Sequence, residues 1–412
     1  MSSFCNSWFA LVWWCVASSV LASTPNPANN CKYLQSWFDV LPCAVSRDID
    51  VIKSQADQSV AMLGAEAYEQ GLNPEFESEL ITRDAEGEQR QSLSLSYRHT
   101  FELGSKAKMR SELGRAEEQV AASNLELTQQ RAFAAYAMKL FRMKAKQEEL
   151  EYLDEMRSSY QRIVNAYRSR RALSAETRVS AQIFSLAEAS SLIRTNRKKG
   201  ELRKLASSFA SKGLRLPKGS VGLGWPQWPQ IKPQLGESPW IKLYRAESNL
   251  AESKLNVEES LATPNLKIGP IAEFDDIGQG KVGLGLSMSL DLPVYHQNQG
   301  SINRARQQVK GKKLVEAAFQ SEHRERFSLL LDHYKSLQAE LQALPSQSWL
   351  EKNHEQLDRE IAKGLIDANL IVEGHEQLLS VVEERNQLRL RVLETLFDIR
   401  LIQGSSVQEG IL

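Results

Sequence analysis

The stretch from Lys281 to Val309, KVGLGLSMSLDLPVYHQNQGSINRARQQV, limits what this chain can become. Its first half alternates: Val282, Leu284, Leu286, Met288, Leu290 and Leu292 against Gly283, Gly285, Ser287, Ser289 and Asp291. A strand sends successive side chains to opposite faces, so this one has an oily face and a small, polar face. At about eleven residues it is long enough to cross an outer membrane as a tilted strand. A helical pattern follows it. The same text occurs once earlier, from Ser92 to Val120: SLSLSYRHTFELGSKAKMRSELGRAEEQV. Leu95 falls on Leu284, Leu103 on Leu292, Arg115 on Arg304, Ala116 on Ala305, Gln119 on Gln308 and Val120 on Val309, in one ungapped register. A duplicated strand-plus-helix unit is the reading.

A chain of 412 residues would ordinarily suggest two or three domains, but a duplicated elongated protein can be one unit. With 51 basic and 51 acidic residues the net charge is zero, and no basic stripe with interleaved aromatics stands out. That excludes nucleic acid as the expected partner, because phosphate binding needs a basic excess. Residues 1–22 read as a signal peptide: Trp8 to Ala22 is apolar, too short to span, and ends on an acceptable cleavage site. The first seven residues carry no Lys or Arg, so an uncleaved anchor is the alternative. Beyond this run no stretch reaches the length of a spanning helix, and membrane contact by the mature chain would have to come from strands. The N-terminal segment 23–48 keeps Cys31 and Cys43. An even pair in an exported protein points to a disulfide; two unrelated thiols is the other reading.

The rest divides into two repeats. The first, 49–237, has a helix over 49–71, strands within 73–104, a helical hairpin over 105–211 and a Pro/Trp-rich loop over 212–237. The second, 238–412, has a helix over 240–262, strands within 264–293 and a helical hairpin over 298–403. Leu113, Val120, Leu127, Ala134 and Phe141 recur every seven residues, the seam of a left-handed supercoil. The outgoing run of each hairpin is a rod of roughly 100 Å, and in the second repeat a break is expected near Pro345. Each return helix is too short to reach the strands. Stacked end to end with the spare helix of its repeat, it matches the rod. The hairpin tips align at 171–174 and 363–367, with a small gain of residues expected inside the second rod. The fold class is thus mostly α with a small membrane β-part.

Four strands cannot close a barrel, since the smallest outer-membrane barrels have about eight. Open strand edges cannot be left in lipid either. Three chains would supply twelve strands, with Val282, Leu284, Leu286, Met288 and Leu290 facing lipid. At this point the chain resembles the TolC-type outer membrane factors, the exit ducts of tripartite efflux pumps and type I secretion. The carriers are the Asn73-Pro74 strand start, FELG at 101–104, LDLPV at 290–294 with NQG at 298–300, and the two tips. FELG and the overall brevity are most similar to the heavy-metal-efflux branch. The resemblance implies a homotrimer with a 12-stranded β-barrel and a periplasmic α-barrel in a Gram-negative outer membrane. It also implies an adaptor protein docked at the tips, on Arg171, Leu173, Ser174, Lys363, Gly364 and Leu365, and an inner-membrane transporter behind it. Glu176 and Asp367 are the implied narrowing of the entrance. Three features depart from the pattern: His99 on the lipid face, Glu75, Glu77 and Glu79 together on one strand face, and the Cys31–Cys43 segment.

The GQGKVG text at 278–283 matches a dinucleotide-binding pattern but opens a strand rather than a helix, so it reads as a hairpin turn. The scattered His residues form no metal spacing, and no nucleophile–base constellation stands out. Neither a cofactor nor a metal is expected, nor is enzymatic activity. The alternative to a conduit is a periplasmic coiled-coil adaptor or scaffold whose strands form a soluble β-domain.

Overall fold

The structure is a computed structural model that describes residues 31, 37–85, 88–169, 174–216, 223–275, 281–295, 297–363 and 367–407. The expected signal segment and the turn at 276–280 lie outside the described residues. In chain order the elements are α1 (Trp37–Ser46), α2 (Ile49–Tyr68), β1 (Glu75–Ala85), β2 (Glu88–Glu102), α3 (Lys106–Arg168) and α4 (Ala175–Ala210). Then follow α5 (Pro239–Leu261), β3 (Asn265–Asp275), β4 (Lys281–Leu290), α6 (Gln299–Ala343), α7 (Gln347–Lys363) and α8 (Ala368–Gln403).

The long helix α3 is the rod on which the rest is hung. Nothing in it breaks a helix: there is no Pro, and its one Gly, Gly114, is used. A Cβ at Gly114 would lie 2.8 Å from Ala65 Cα, so the missing side chain lets α2 lie directly on α3. Of the heptad series, Leu113, Leu127 and Phe141 are buried, and Val120 and Ala134 half-buried. α2 covers the strand-proximal part of α3, where Ser111 Oγ donates to Glu69 at 3.1 Å and the Ser54 and Thr128 hydroxyls are 3.3 Å apart. α4 covers the far part: Phe209 packs on Tyr136 and Phe184 on Tyr167. The spare helix and the return helix therefore do stack end to end along the rod. The second repeat does the same with α5 and α8 on α6, and α5 and α8 also pack on α3. Burying one Leu or Phe stabilises by about 1.5–3 kcal/mol, and α8 alone buries Val392, Leu393, Leu396 and Ile399 completely.

The expected break is where it was placed. α6 ends at Ala343, Leu344 is extended, and α7 restarts at Gln347. Pro345 explains it, because Pro cannot donate to the helix ladder and holds its predecessor extended. The ungapped register of the two repeats is not kept. Residues 103–105 join β2 to α3, whereas residues 291–298 join β4 to α6. The helix starts Lys106 and Gln299 are as far apart in sequence as the hairpin caps Ser174 and Asp367. The extra residues thus sit in the strand-to-helix connection, not within the second rod. A connection accepts an insertion cheaply, while a heptad helix would have to overwind.

The segment before α2 forms a helix, α1, with Pro42 inside it. Cys31 and Cys43 are bonded, with Cα atoms 5.8 Å apart. Val40, Leu41 and Ala44 are buried in one cluster with Phe133, Tyr136, Phe141, Phe209 and Leu393. α1 thus caps the level at which α2 gives way to α4 along the rod.

Candidate functional site: strand face, equator and helical tips

The four strands form one antiparallel sheet in the order β1-β2-β3-β4. Directly opposed residues of antiparallel strands share a face, so the register assigns both faces. One carries Phe76 opposite Tyr97, Leu80 opposite Leu93, Leu93 opposite Phe274 and Phe274 opposite Val282. It continues through Leu95, Ala272 and Leu284, and through Phe101, Leu266 and Leu290. Leu284 is 84% exposed, Leu286 73% and Met288 70%. All five candidate strand residues, Val282, Leu284, Leu286, Met288 and Leu290, lie on this continuous apolar face. His99 lies there too, opposite Ile268 and edge-on to Phe101 at 4.8 Å.

The other face is polar and internally compensated. Glu75 is opposite Arg98 and is reached by Lys267 Nζ at 2.7 Å, and Arg98 donates to Glu77. This face also carries Ser92, Ser94, Ser96, Ser287, Ser289, Gly283 and Gly285, together with Ile81, Ile271, Glu79 and Glu273. Of the row of acids that looked anomalous on β1, Glu75 and Glu77 thus meet cations from β2 and β3 across the sheet, while Glu79 lies opposite Ser94. Gly269 serves a steric purpose: a Cβ there would fall 1.7 Å from Tyr97 O. Beside it Pro270 lacks an N–H, so β3 presses close to β2 where one ladder bond is missing.

At the equator, Asp48 caps α2 by accepting from Asp50 N–H and from the Tyr136 hydroxyl at 2.7 Å. Lys212 donates to Arg47 O at 3.0 Å and lies 3.4 Å from Asp48, while Arg47 donates to Lys212 O at 2.8 Å. Burial raises the Asp48 pKa, but the hydrogen bonds from Tyr136 and Asp50 and the Lys212 charge outweigh it and hold the carboxyl below its ordinary value. Trp225, from the Pro/Trp-rich loop, stacks on Phe141 at 5.7 Å, lies under Arg389 at 4.9 Å and donates Nε1–H to Glu148. Burial, then the like charge of Arg385, push Arg389 down to about 10, and Glu148 opposes them. The loop tryptophans are thus packed against neighbouring helices, as their setting suggested.

Both tips lie at the same end of the molecule: Val164 of α3, Phe184 of α4 and Ala368 and Ile371 of α8 share one buried cluster. Ser174 caps α4 by accepting from Thr177 N–H at 3.2 Å, and Asp367 caps α8 by accepting from Asn369 N–H at 2.8 Å. Glu176 is exposed in the first turn of α4, and Asp367 is exposed at its cap. Lys363 closes α7. Arg171, Leu173, Gly364 and Leu365 lie outside the described residues. Among the described residues no group of three or more His, Cys, Asp or Glu is placed to hold a metal ion, and no helix is long and apolar enough to cross a membrane.

No protein-family model matches the chain, and no curated protein matches it in sequence. Solved structures do match. CusC, described for its folding and transmembrane channel formation, superposes with a TM-score of 0.71 at 11% identity, covering 89% of this chain and 91% of that one. The MtrE outer membrane channel of Neisseria gonorrhoeae, in its open state, gives 0.69 at 12% identity, covering 90% of each chain. The outer membrane protein VceC of Vibrio cholerae gives 0.68 at 12% identity, covering 90% of this chain and 96% of that one. The chain has the fold of an outer membrane channel protein. At the level of architecture, the TolC-like fold expected from the repeated strand-plus-rod text is what is found. Sequence reasoning missed α1, whose Pro42 hides the helix, and the ionic knot of Arg47, Asp48, Tyr136 and Lys212. No periodic signal links residues so far apart in the chain.

Proposed function

We propose that the chain is one protomer of a trimeric outer-membrane conduit, the exit duct of a tripartite efflux pump, with its helical body in the periplasm. The observation that carries this reading is the sheet. It has one continuous exposed apolar face, one compensated polar face, and two outer strands, β1 and β4, each paired on one side only. In lipid every unpaired backbone group costs several kcal/mol, so such a sheet is stable there only when its edges close on other copies. Three copies give a 12-stranded barrel whose apolar face meets lipid and whose Ser/Gly/Glu face lines water. A periplasmic scaffold would need something to cover the apolar face, and among the described residues nothing does.

In this reading substrates are handed over by an inner-membrane transporter through an adaptor protein docked at Arg171, Leu173, Ser174, Lys363, Gly364 and Leu365. Glu176 and Asp367 then stand at the entrance, where exposed carboxylates favour cations. The strand text FELG at 101–104 further supports the heavy-metal-efflux branch. The test is fractionation of cells producing the tagged chain. Trimers in the outer-membrane fraction are expected; soluble periplasmic monomers alone would remove the proposal. Deleting the gene and measuring tolerance to metal salts and to drugs then assigns the branch: raised metal sensitivity supports the heavy-metal assignment, and raised drug sensitivity alone overturns it.

A further inference from the structure

The helical layer beside the sheet keeps the order of the strands. α2 packs on α3, α3 on α5 and α5 on α6, as β1 pairs with β2, β2 with β3 and β3 with β4. Among the described residues both layers therefore end in two open edges, β1 with α2 on one side and β4 with α6 on the other. Each edge helix carries an exposed row at heptad spacing. On α2 it is Ile52, Ala56, Ser59, Leu63 and Glu66, while Ser54 and Glu69 face α3. On α6 it is Arg304, Gln308, Gly311, Val315 and Ala318, while Arg306, Lys312 and Phe319 face α5. Ile52 is 46% exposed, Leu63 66% and Val315 49%. We propose that α2 of one copy lies antiparallel along α6 of the next, in the place that α5 takes on α3 within the chain. This deepens the trimeric-conduit reading and rests on it: closing β4 on β1 of the next copy brings α6 beside that copy's α2.

The contact inside the chain supplies the register. Lys242 of α5 lies 2.8 Å from Glu126 of α3, and Trp240 lies under Arg131 at 4.2 Å. α2 and α5 start equally far ahead of their strands, Ile49 before Glu75 and Pro239 before Asn265, so Ile52 stands where Lys242 does. The same two helices match the rods in height. Ser54 of α2 meets Thr128 of α3, and its counterpart Tyr244 of α5 meets Phe319 of α6, with ring centroids 4.4 Å apart. Glu126 comes just before Thr128, so the matching level on α6 comes just before Phe319. There Ile52 of the arriving helix enters between Val315 and Ala318, a knob between two exposed row positions. An ion pair within the chain is answered by an apolar contact between copies.

Two further positions agree with that register. Two turns toward the strands, Ser59 arrives at Gly311. A glycine inside a helix weakens it, and a Cβ at Gly311 would meet nothing within 4 Å in the chain. Gly114 on the enclosed rod shows the use of such a gap, since α2 closes over it through Ala65. Another two turns on, Glu66 arrives beside Arg304, and both are exposed in the single chain. α2 runs toward the strands and α6 away from them. Side chains lean toward the N-terminus of their own helix, so this carboxylate and this guanidinium lean toward each other.

The experiment is disulfide trapping in outer membranes of cells producing the full chain. Mild oxidation of the variant Ile52→Cys, Val315→Cys is expected to give covalently linked dimers and trimers on non-reducing gels. The displaced pair Ile52→Cys, Gln308→Cys, about 10 Å further along the rod, is expected to give about tenfold less, because a disulfide does not reach across such a gap. Equal trapping of the two pairs overturns the proposal, as does no trapping in a variant that still forms trimers. Should the cysteine variants fail to assemble, charge reversal decides. Glu66→Arg and Arg304→Glu are each expected to lower the dissociation temperature of the trimer, and the two together to restore it. A combined variant no better than the single ones overturns the proposed seam. Failure of the unaltered chain to form trimers would instead remove the conduit reading, and this proposal with it.

Discussion

The two rods, α3 and α6, each follow a pair of strands, yet they are packed differently. α3 runs unbroken for 63 residues and is packed by α2, α4, α5 and α8, with α1 at the equator. α6 runs 45 residues, is packed by α5 and α8, and stops at Leu344 before α7. The contrast shows in side chains. Phe141, Leu153 and Tyr160 of α3 are essentially inaccessible, whereas Leu314 and Leu329 of α6 are 72% and 64% exposed. α3 is a keystone packed on many sides; α6 is an edge that keeps large apolar side chains exposed. The same strand-to-rod order thus leads to two rods that are packed unequally.

Four tests probe that division, beginning with the strand face. Leu286→Arg is expected to abolish trimers in the outer membrane, since a cation at mid-bilayer costs about 2–4 kcal/mol in every copy; membrane fractionation reads it. Normal assembly of that variant would mean the apolar face does not meet lipid. Next, Phe141→Ala in the keystone should lower stability by about 3–5 kcal/mol, read by denaturant unfolding. Leu329→Ala on the edge rod should cost the isolated chain under about 0.5 kcal/mol yet lower the dissociation temperature of the trimer. Comparable losses for the two in dissociated chains would erase the distinction between keystone and edge. Third, Cys31→Ser with Cys43→Ser should cost about 2–3 kcal/mol, as for a loop of that size. The loss should show as faster exchange in α1 while the rods keep their protection.

The smallest effect expected is at the equator. Asp48→Asn removes the ionic part of the cap and should cost about 1 kcal/mol at neutral pH. The folded-state pKa of Asp48 is depressed. Its contribution is therefore full above the unfolded value of about 3.9 and lost as pH falls through the lower folded value. Unfolding curves of wild type and variant should differ by a constant amount above about pH 5 and converge as pH falls below the folded-state value. A difference that persists in acid would assign the cap to hydrogen bonding alone.

Much of the architecture was legible because it is periodic. Alternation from Val282 to Leu290 set a strand with one oily face, and the heptads from Leu113 to Phe141 set a rod. Pro345 marked the break. The acids Glu75 and Glu77 looked out of place because their partners, Lys267 and Arg98, lie on other strands and become neighbours only through register. The tips were aligned from the sequence, and Ser174 was legible as a residue type that accepts from a helix N-terminus; the matching cap at Asp367 came from the structure. α1 was not legible, since a short helix containing Pro42 has no propensity signal and is held by its disulfide and by burial of Val40.

What the sequence determined by itself is the repeated unit: which side chains share a strand face, where each helix can run, and where it must stop. Those depend on neighbours a few residues away, through fixed periods of backbone geometry. Only the tertiary structure decided which rod is enclosed, where the duplicated unit took its extra residues, and that α2 and α6 stand at the two open edges. Those outcomes rest on contacts between segments far apart in the chain, and shape complementarity between such segments leaves no local trace.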